Sequence, residues 1–148
     1  MTNKRPSVVV TGANRGIGLE LVSQYLADDW QVYGCCRRPE SATQLAGLAS
    51  NSALSIRQLD VGNPDSVEKL ALALSEQSID LLINNAGIYG GERQSFGDID
   101  YAQWTRVLEV NTLGPYRVST ALANQVGNSE QRLMVNVSSA MGSIERYT

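Results

Sequence analysis

A doubly wound α/β fold, a parallel sheet covered by helices on both faces, is the class this sequence predicts, and three observations carry it. Short apolar runs rich in β-branched residues alternate along the chain with stretches of helical spacing, an order that calls for parallel strands joined by crossover helices. The first run, Ser7-Val8-Val9-Val10, passes through a glycine turn, Thr11-Gly12-Ala13-Asn14-Arg15-Gly16-Ile17-Gly18, directly into a segment where Ile17, Leu21 and Tyr25 recur at i, i+4 spacing. Polar residues able to do chemistry fall where the predicted strands end, the place where doubly wound sheets bind ligands. With 148 residues and 43% hydrophobic content the chain can bury one core, so a single domain over 1–148 is expected.

The glycine turn organises the rest. A strand-turn-helix unit of this kind aims backbone N–H groups and the positive end of a helix dipole at one point, where an anion such as a dinucleotide's pyrophosphate can sit. Gly12 permits the tight turn, while Gly16 and Gly18 remove Cβ atoms that would hold backbone from phosphate or helix from sheet. Asn14, Arg15 and Ile17 complete the candidate cradle. The competing reading gives the three glycines a purely structural job in the connection. The spacing Gly-x-x-x-Gly-x-Gly departs from the usual dinucleotide fingerprint, and no Gly-Lys-Ser/Thr follows, which excludes a nucleoside-triphosphate P-loop.

The remaining elements follow in order. A second strand is expected at Gln31–Cys36, followed by Arg37 and Arg38, whose guanidinium groups either solvate a loop or bind a phosphate through paired hydrogen bonds. A helix beginning near Pro39 or Ser41 leads to a third strand, Leu54–Leu59, ending at Asp60-Val61. Asn63 suits an N-cap and Pro64 the first helical position, after which Val67, Leu70, Ala71 and Leu74 form one apolar stripe. The fourth strand, Asp80–Ile83, runs into Asn84-Asn85-Ala86-Gly87, whose amides can tie strand ends together and whose small residues leave room for a ligand. After a polar loop, Gly90 to Gly97, one long helix is expected from Ile99 to Val126, with Trp104, Leu108, Asn111, Pro115, Val118 and Leu122 on one face. Pro115 cannot donate to the carbonyl of Asn111, so a free acceptor or a kink is expected there. The fifth strand, Leu133–Val137, ends at Ser138-Ser139.

Thr-Gly-x-x-x-Gly-Ile-Gly, Asn-Asn-Ala-Gly and Val-Asn-Val-Ser-Ser-x-x-Gly together resemble the short-chain dehydrogenase/reductase family. Surface features such as Ile17-Gly18-Leu19-Glu20-Leu21 and Met141-Gly142-Ser143-Ile144 are most similar to the carbonyl-reductase or C-factor-like branch. The resemblance implies a Rossmann-like sheet and hydride transfer between a nicotinamide coenzyme and a small carbonyl or alcohol. It implies coenzyme binding by Gly12, Asn14, Arg15, Gly16, Ile17, Gly18, Arg37, Asp60, Val61, Asn85, Ala86 and Gly87. NAD-preferring members carry an acid where Cys36 stands; Arg37 and Arg15 instead favour NADP(H), with NAD(H) second. Asp60 would receive the adenine amino group, or would only start the turn toward Asn63. Ser139 would orient the substrate carbonyl, and Asn111 would serve the proton relay or else be a satisfied kink residue.

The sequence also departs from that family. The catalytic pair Tyr-x-x-x-Lys has no counterpart: Tyr147 follows Ser139 too soon, Thr148 alone comes after it, and the two lysines are Lys4 and Lys69. The resemblance therefore covers about the amino-terminal three-fifths of a family domain, truncated after about five strands, and a fragment or shortened product is expected before a new catalytic design. The alternative to an oxidoreductase is a nucleotide-binding or interaction module lacking the proton donor. A net charge of −3 without a basic block argues against nucleic acid as partner, and the lack of a long apolar run argues against a membrane, so a cytoplasmic protein is expected. Adjacent Cys35 and Cys36 read as free thiols, no histidine is present for Ser-His or Cys-His chemistry, and no metal-ligand spacing occurs. Homo-oligomerisation is left open.

Overall fold

The computed structural model describes residues 5–143 and 145. Five parallel strands form the main sheet: β1 (Ser7–Thr11), β2 (Gln31–Cys36), β3 (Leu54–Gln58), β4 (Leu81–Asn84) and, after the small ribbon described below, β7 (Leu133–Asn136). Their order is β3-β2-β1-β4-β7. The direction of strand addition reverses between β1 and β4, which opens a crevice at their carboxyl ends. Register is continuous across the centre, with Val9 beside Tyr33 on one side and Leu82 on the other.

Alternation of side chains sorts the strands into two cores. Val8, Val10, Val32, Leu81 and Ile83 face the side covered by α1 (Gly16–Ala27) and α2 (Thr43–Gly47), where Val22, Leu26 and Leu45 complete the layer. Val9, Tyr33, Cys35 and Leu82 face the other side, against α3 (Pro64–Ala73), α5 (Gly114–Ala121) and α6 (Ala123–Gly127) through Val67, Leu70, Val118, Leu122 and Val126. Leu45, Val22 and Val118 are fully buried, each contributing about 1.5–3 kcal/mol relative to exposure.

The sequence expectations hold for α3 in detail: Asn63 Oδ1 accepts from the Asp65 and Ser66 amides at 2.9 and 3.3 Å, and Pro64 follows it. Elsewhere the structure corrects them. On α1 the row that meets the sheet is Gly18, Val22 and Leu26, while Ile17 is 64% exposed at the cleft. Between β2 and β3 the chain first makes a 3₁₀ turn, Pro39–Ser41, and only then the short α2. The loop expected over Gly90–Gly97 contains a two-stranded antiparallel ribbon, β5 (Gln94–Ser95) and β6 (Asp98–Ile99), turned by Gly97 at φ +82° and clasped by Arg93 and Asp98 at 2.8 Å.

The long helix is not one element. Asp100 caps α4 (Tyr101–Leu108) by accepting from the Gln103 amide at 3.0 Å; a π-helical turn, Glu109–Leu113, then hands over to α5. Because a π turn inserts a residue relative to α spacing, it rotates the buried row. Val110, Gly114, Val118, Leu122 and Val126 face inward, whereas Trp104 and Leu108, expected on that face, are 51% and 47% exposed. Pro115 explains the turn, since it offers no amide to the carbonyl of Asn111 and crowds it. Among the described residues no helix is long and apolar enough to cross a membrane.

Candidate functional site

The crevice at the carboxyl ends of β1, β2, β3 and β4 is a cleft of about 630 Å³. Gly12, Asn14, Arg15, Gly16, Ile17, Arg37, Asp60, Val61, Asn85, Ala86 and Gly87 line it together, so residues scattered over the first 87 positions converge on one site. Gly18, Asn111 and Ser139 are not among its walls.

The glycine turn is held from beneath. Thr11 Oγ1 accepts from the amides of Asn85 and Ala86 at 3.0 and 2.9 Å, and Asn85 Nδ2 donates to the carbonyls of Thr11 and Gly12 at 3.0 and 3.3 Å. The two sequence motifs thus lock to each other. Gly12 takes φ +69°, and a Cβ there would stand 2.9 Å from Ala86 Cα. A Cβ on Gly18 would lie 2.2 Å from the Gly12 carbonyl oxygen, so Gly18 serves close packing of helix on turn. Gly16 differs: its φ is +55°, but a Cβ would meet nothing within 4 Å, because it faces the open cleft. No side chain caps the start of α1 and no acid stands in its first turn. The helix therefore offers its amides and its positive end to the cleft, and an anion fits where a Gly16 side chain would intrude.

Cations gather at the same opening. Arg15, Arg37 and Arg38 line the cleft, and none of them belongs to the ion pairs found among the described residues. Cys36, at the strand end, is 3% exposed; burial pushes its thiol above the ordinary range, opposed by the hydrogen bond from the Arg38 backbone and aided by Glu40. A neutral thiol with two guanidinium groups after it favours a phosphate over a ribose hydroxyl pair. At the end of β3, Asp60 Oδ1 accepts from the Gly62 amide at 3.0 Å and the Asp60 amide donates to Ser66 Oγ at 2.9 Å. The turn-starting reading of Asp60 is thereby met on one oxygen. Oδ2 lies 3.7 Å from Arg106 Nη2, and both residues line the cleft.

Arg106, Gln58 and Ile88 are cleft residues that the sequence did not disclose. Arg106 precedes buried Val110 by four residues, one helical turn, and that spacing is the only signal that places it on the inner face.

On the other side of β4, Asn84 Nδ2 donates to Ser119 Oγ at 3.0 Å and to Asn136 Oδ1 at 2.9 Å, tying β4 to α5 and β7 as expected of a buried amide. Asn111 exchanges two hydrogen bonds of 2.9 Å with the main chain of Ile88, directly beyond Gly87, so its side chain is satisfied by a neighbour. Ser139 stands three residues beyond β7 on an exposed rim, where it caps the 3₁₀ turn Ala140–Gly142: its Oγ accepts from the Met141 amide at 3.2 Å and keeps its own hydrogen free to donate. Tyr147 and Lys4 lie outside the described residues.

A family model described as short chain dehydrogenase matches residues 6–148. The short chain dehydrogenase pigC of Monascus ruber is 32% identical over 146 residues, covering 90% of this chain and 47% of that protein. An NADPH-bound carbonyl reductase from chicken fatty liver superposes with a TM-score of 0.88 at 33% identity, covering 97% of this chain and 63% of that one. A carbonyl reductase from Pseudomonas aeruginosa PAO1 in complex with NADP gives 0.86 at 32% identity, with coverages of 97% and 63%. The chain thus spans about half the length of the first of these and under two thirds of the others.

Proposed function

The chain belongs to the short-chain dehydrogenase family, and from that premise we propose that it binds NADP(H) in the strand-end cleft and contributes to an oxidoreductase that interconverts a carbonyl and an alcohol. The observation that carries this is the uncapped start of α1 over an open Gly16, flanked by Arg15, Arg37 and Arg38, none of them in an ion pair among the described residues. A nicotinamide coenzyme, when bound, supplies a hydride for a carbonyl carbon. The residues of this chain bind and orient the reactants: the α1 amides hold the pyrophosphate, Arg37 and Arg15 neutralise a 2′-phosphate, and Ala86 and Gly87 leave space for the second ribose. Ser139 Oγ donates its hydrogen to the substrate carbonyl, and Asn111, its side chain spent on the segment after Gly87, serves the proton relay through the main-chain carbonyl to which Pro115 offers no amide. The partner is a small carbonyl or alcohol compound, in a cytoplasmic setting.

A second reading has one observation behind it. No tyrosine in these 148 residues is followed four positions later by a lysine, the pair that would supply and tune the proton. On that reading the chain binds the nucleotide without turnover. NADPH fluorescence titration alongside a turnover assay on carbonyl compounds separates the two. Saturable NADPH binding that Arg37→Ala weakens about tenfold or more supports the cleft assignment. Turnover supports the enzyme, binding alone supports the module, and a folded chain without binding defeats both.

A further inference from the structure

We infer that Arg106 on α4 is a positioning residue: it holds the Asp60 carboxylate toward the base end of the cleft and so sets a preference for a purine carrying an amino donor there. This rests on the NADP(H) reading of the cleft. Strand order sets the direction in which a bound dinucleotide runs. With a pyrophosphate on α1 beyond β1 and a 2′-phosphate on the arginines beyond β2, the base attached to that ribose points onward toward the end of β3, where Asp60 stands. Asp60 is a constrained acceptor. Its amide is fixed by Ser66 and its Oδ1 is engaged by the Gly62 amide, whereas Oδ2 accepts no hydrogen bond from the described residues and keeps both of its acceptor positions.

Arg106 Nη2 sits 3.7 Å from that oxygen, close enough to attract it and too far to consume it as a hydrogen bond. Neither structural account explains the arginine. A pair with side chains 48% and 25% exposed adds little to folding, and the last turn of α4 is no true helix end, because the π turn continues it. What remains is direction: a guanidinium beside Oδ2 keeps the carboxylate aimed into the cleft, ready for an N–H donor and unfavourable to a carbonyl oxygen.

The test titrates the 148-residue chain and its variants with three probes: NADPH, its reduced hypoxanthine analogue, and reduced nicotinamide mononucleotide, which has no purine. The wild type should prefer NADPH over the hypoxanthine analogue. Arg106→Ala should weaken NADPH about tenfold, shrink that preference and leave the mononucleotide unchanged, with Arg106→Lys recovering part of the loss. Asp60→Asn placed on Arg106→Ala should add nothing further. An Arg106→Ala protein that keeps its NADPH affinity and base preference, or one that loses all three ligands equally, overturns the inference. A wild type that binds NADPH without base preference overturns it while leaving the cleft assignment standing. A folded wild type that binds no NADPH removes the cleft assignment and this inference together.

Discussion

Glycines 16 and 18 are two residues apart in one motif and do different work, which single substitutions separate. Gly18→Ala puts a methyl 2.2 Å from a carbonyl oxygen and 2.6 Å from Asn85 Nδ2, so it should cost about 3 kcal/mol or more and be read as a large fall in the urea midpoint. Gly16→Ala meets open space and carries only the penalty of φ +55°, about 1–2 kcal/mol, yet it should abolish NADPH binding on a folded protein because its methyl enters the phosphate cradle. A second residue-scale expectation concerns Cys35, whose thiol donates to the Tyr33 carbonyl at 3.7 Å. Burial, with Cys36 adding and Arg57 opposing, pushes its pKa from 9.0 to about 12. The native state therefore keeps a proton that the unfolded chain sheds above pH 9, so the thiol's contribution is complete below pH 9 and is lost as pH rises toward 12. Stability should fall by up to about 1.4 kcal/mol per pH unit in that window, and chemical denaturation should show a shallower fall in Cys35→Ala.

Among the elements, the break in the α4–α5 run matters most for the site. The π turn brings Gly114 against the loop after β3, where a Cβ would stand 2.8 Å from Val61 Cγ2, and Val110 lies 3.3 Å from where a Gly62 Cβ would be. This close seat presses the helix pair onto the residues that form the base end of the cleft. Gly114→Ala should then destabilise by about 1–3 kcal/mol and weaken NADPH more than it weakens reduced nicotinamide mononucleotide, since the displaced wall is Val61. Thermal unfolding and the two titrations check both parts. The sequence indicated that something would happen near Pro115, because a missing amide leaves a carbonyl to be dealt with. It did not indicate the answer. A kink, a water and an inserted residue all satisfy the same sequence constraint; the structure takes the insertion, which seats Gly114 against Val61 and leaves Trp104 and Leu108 turned outward.

At the scale of the whole molecule, a chain of net charge −3 concentrates Arg15, Arg37, Arg38 and Arg106 around one opening. Local potential, not net charge, then governs an anionic ligand. Raising ionic strength from 0.05 to 0.5 M should weaken NADPH several-fold more than NADH, because the extra phosphate makes the screened contacts; parallel titrations of the two coenzymes measure the difference.

The amino-acid sequence by itself determined the alternation of elements, the parallel sheet, the glycine turn with its helix, the Asn63 cap and the arginines after β2, because each depends on neighbours within a few residues: a period, a missing Cβ, a cap, a charge next to a strand end. Tertiary structure alone decided which residues meet across the sheet. Thr11 finding the amides of Asn85 and Ala86, Arg106 reaching Asp60, and Gly114 seating against Val61 all join positions far apart in sequence, and no local spacing encodes a contact whose geometry is set by how two elements pack.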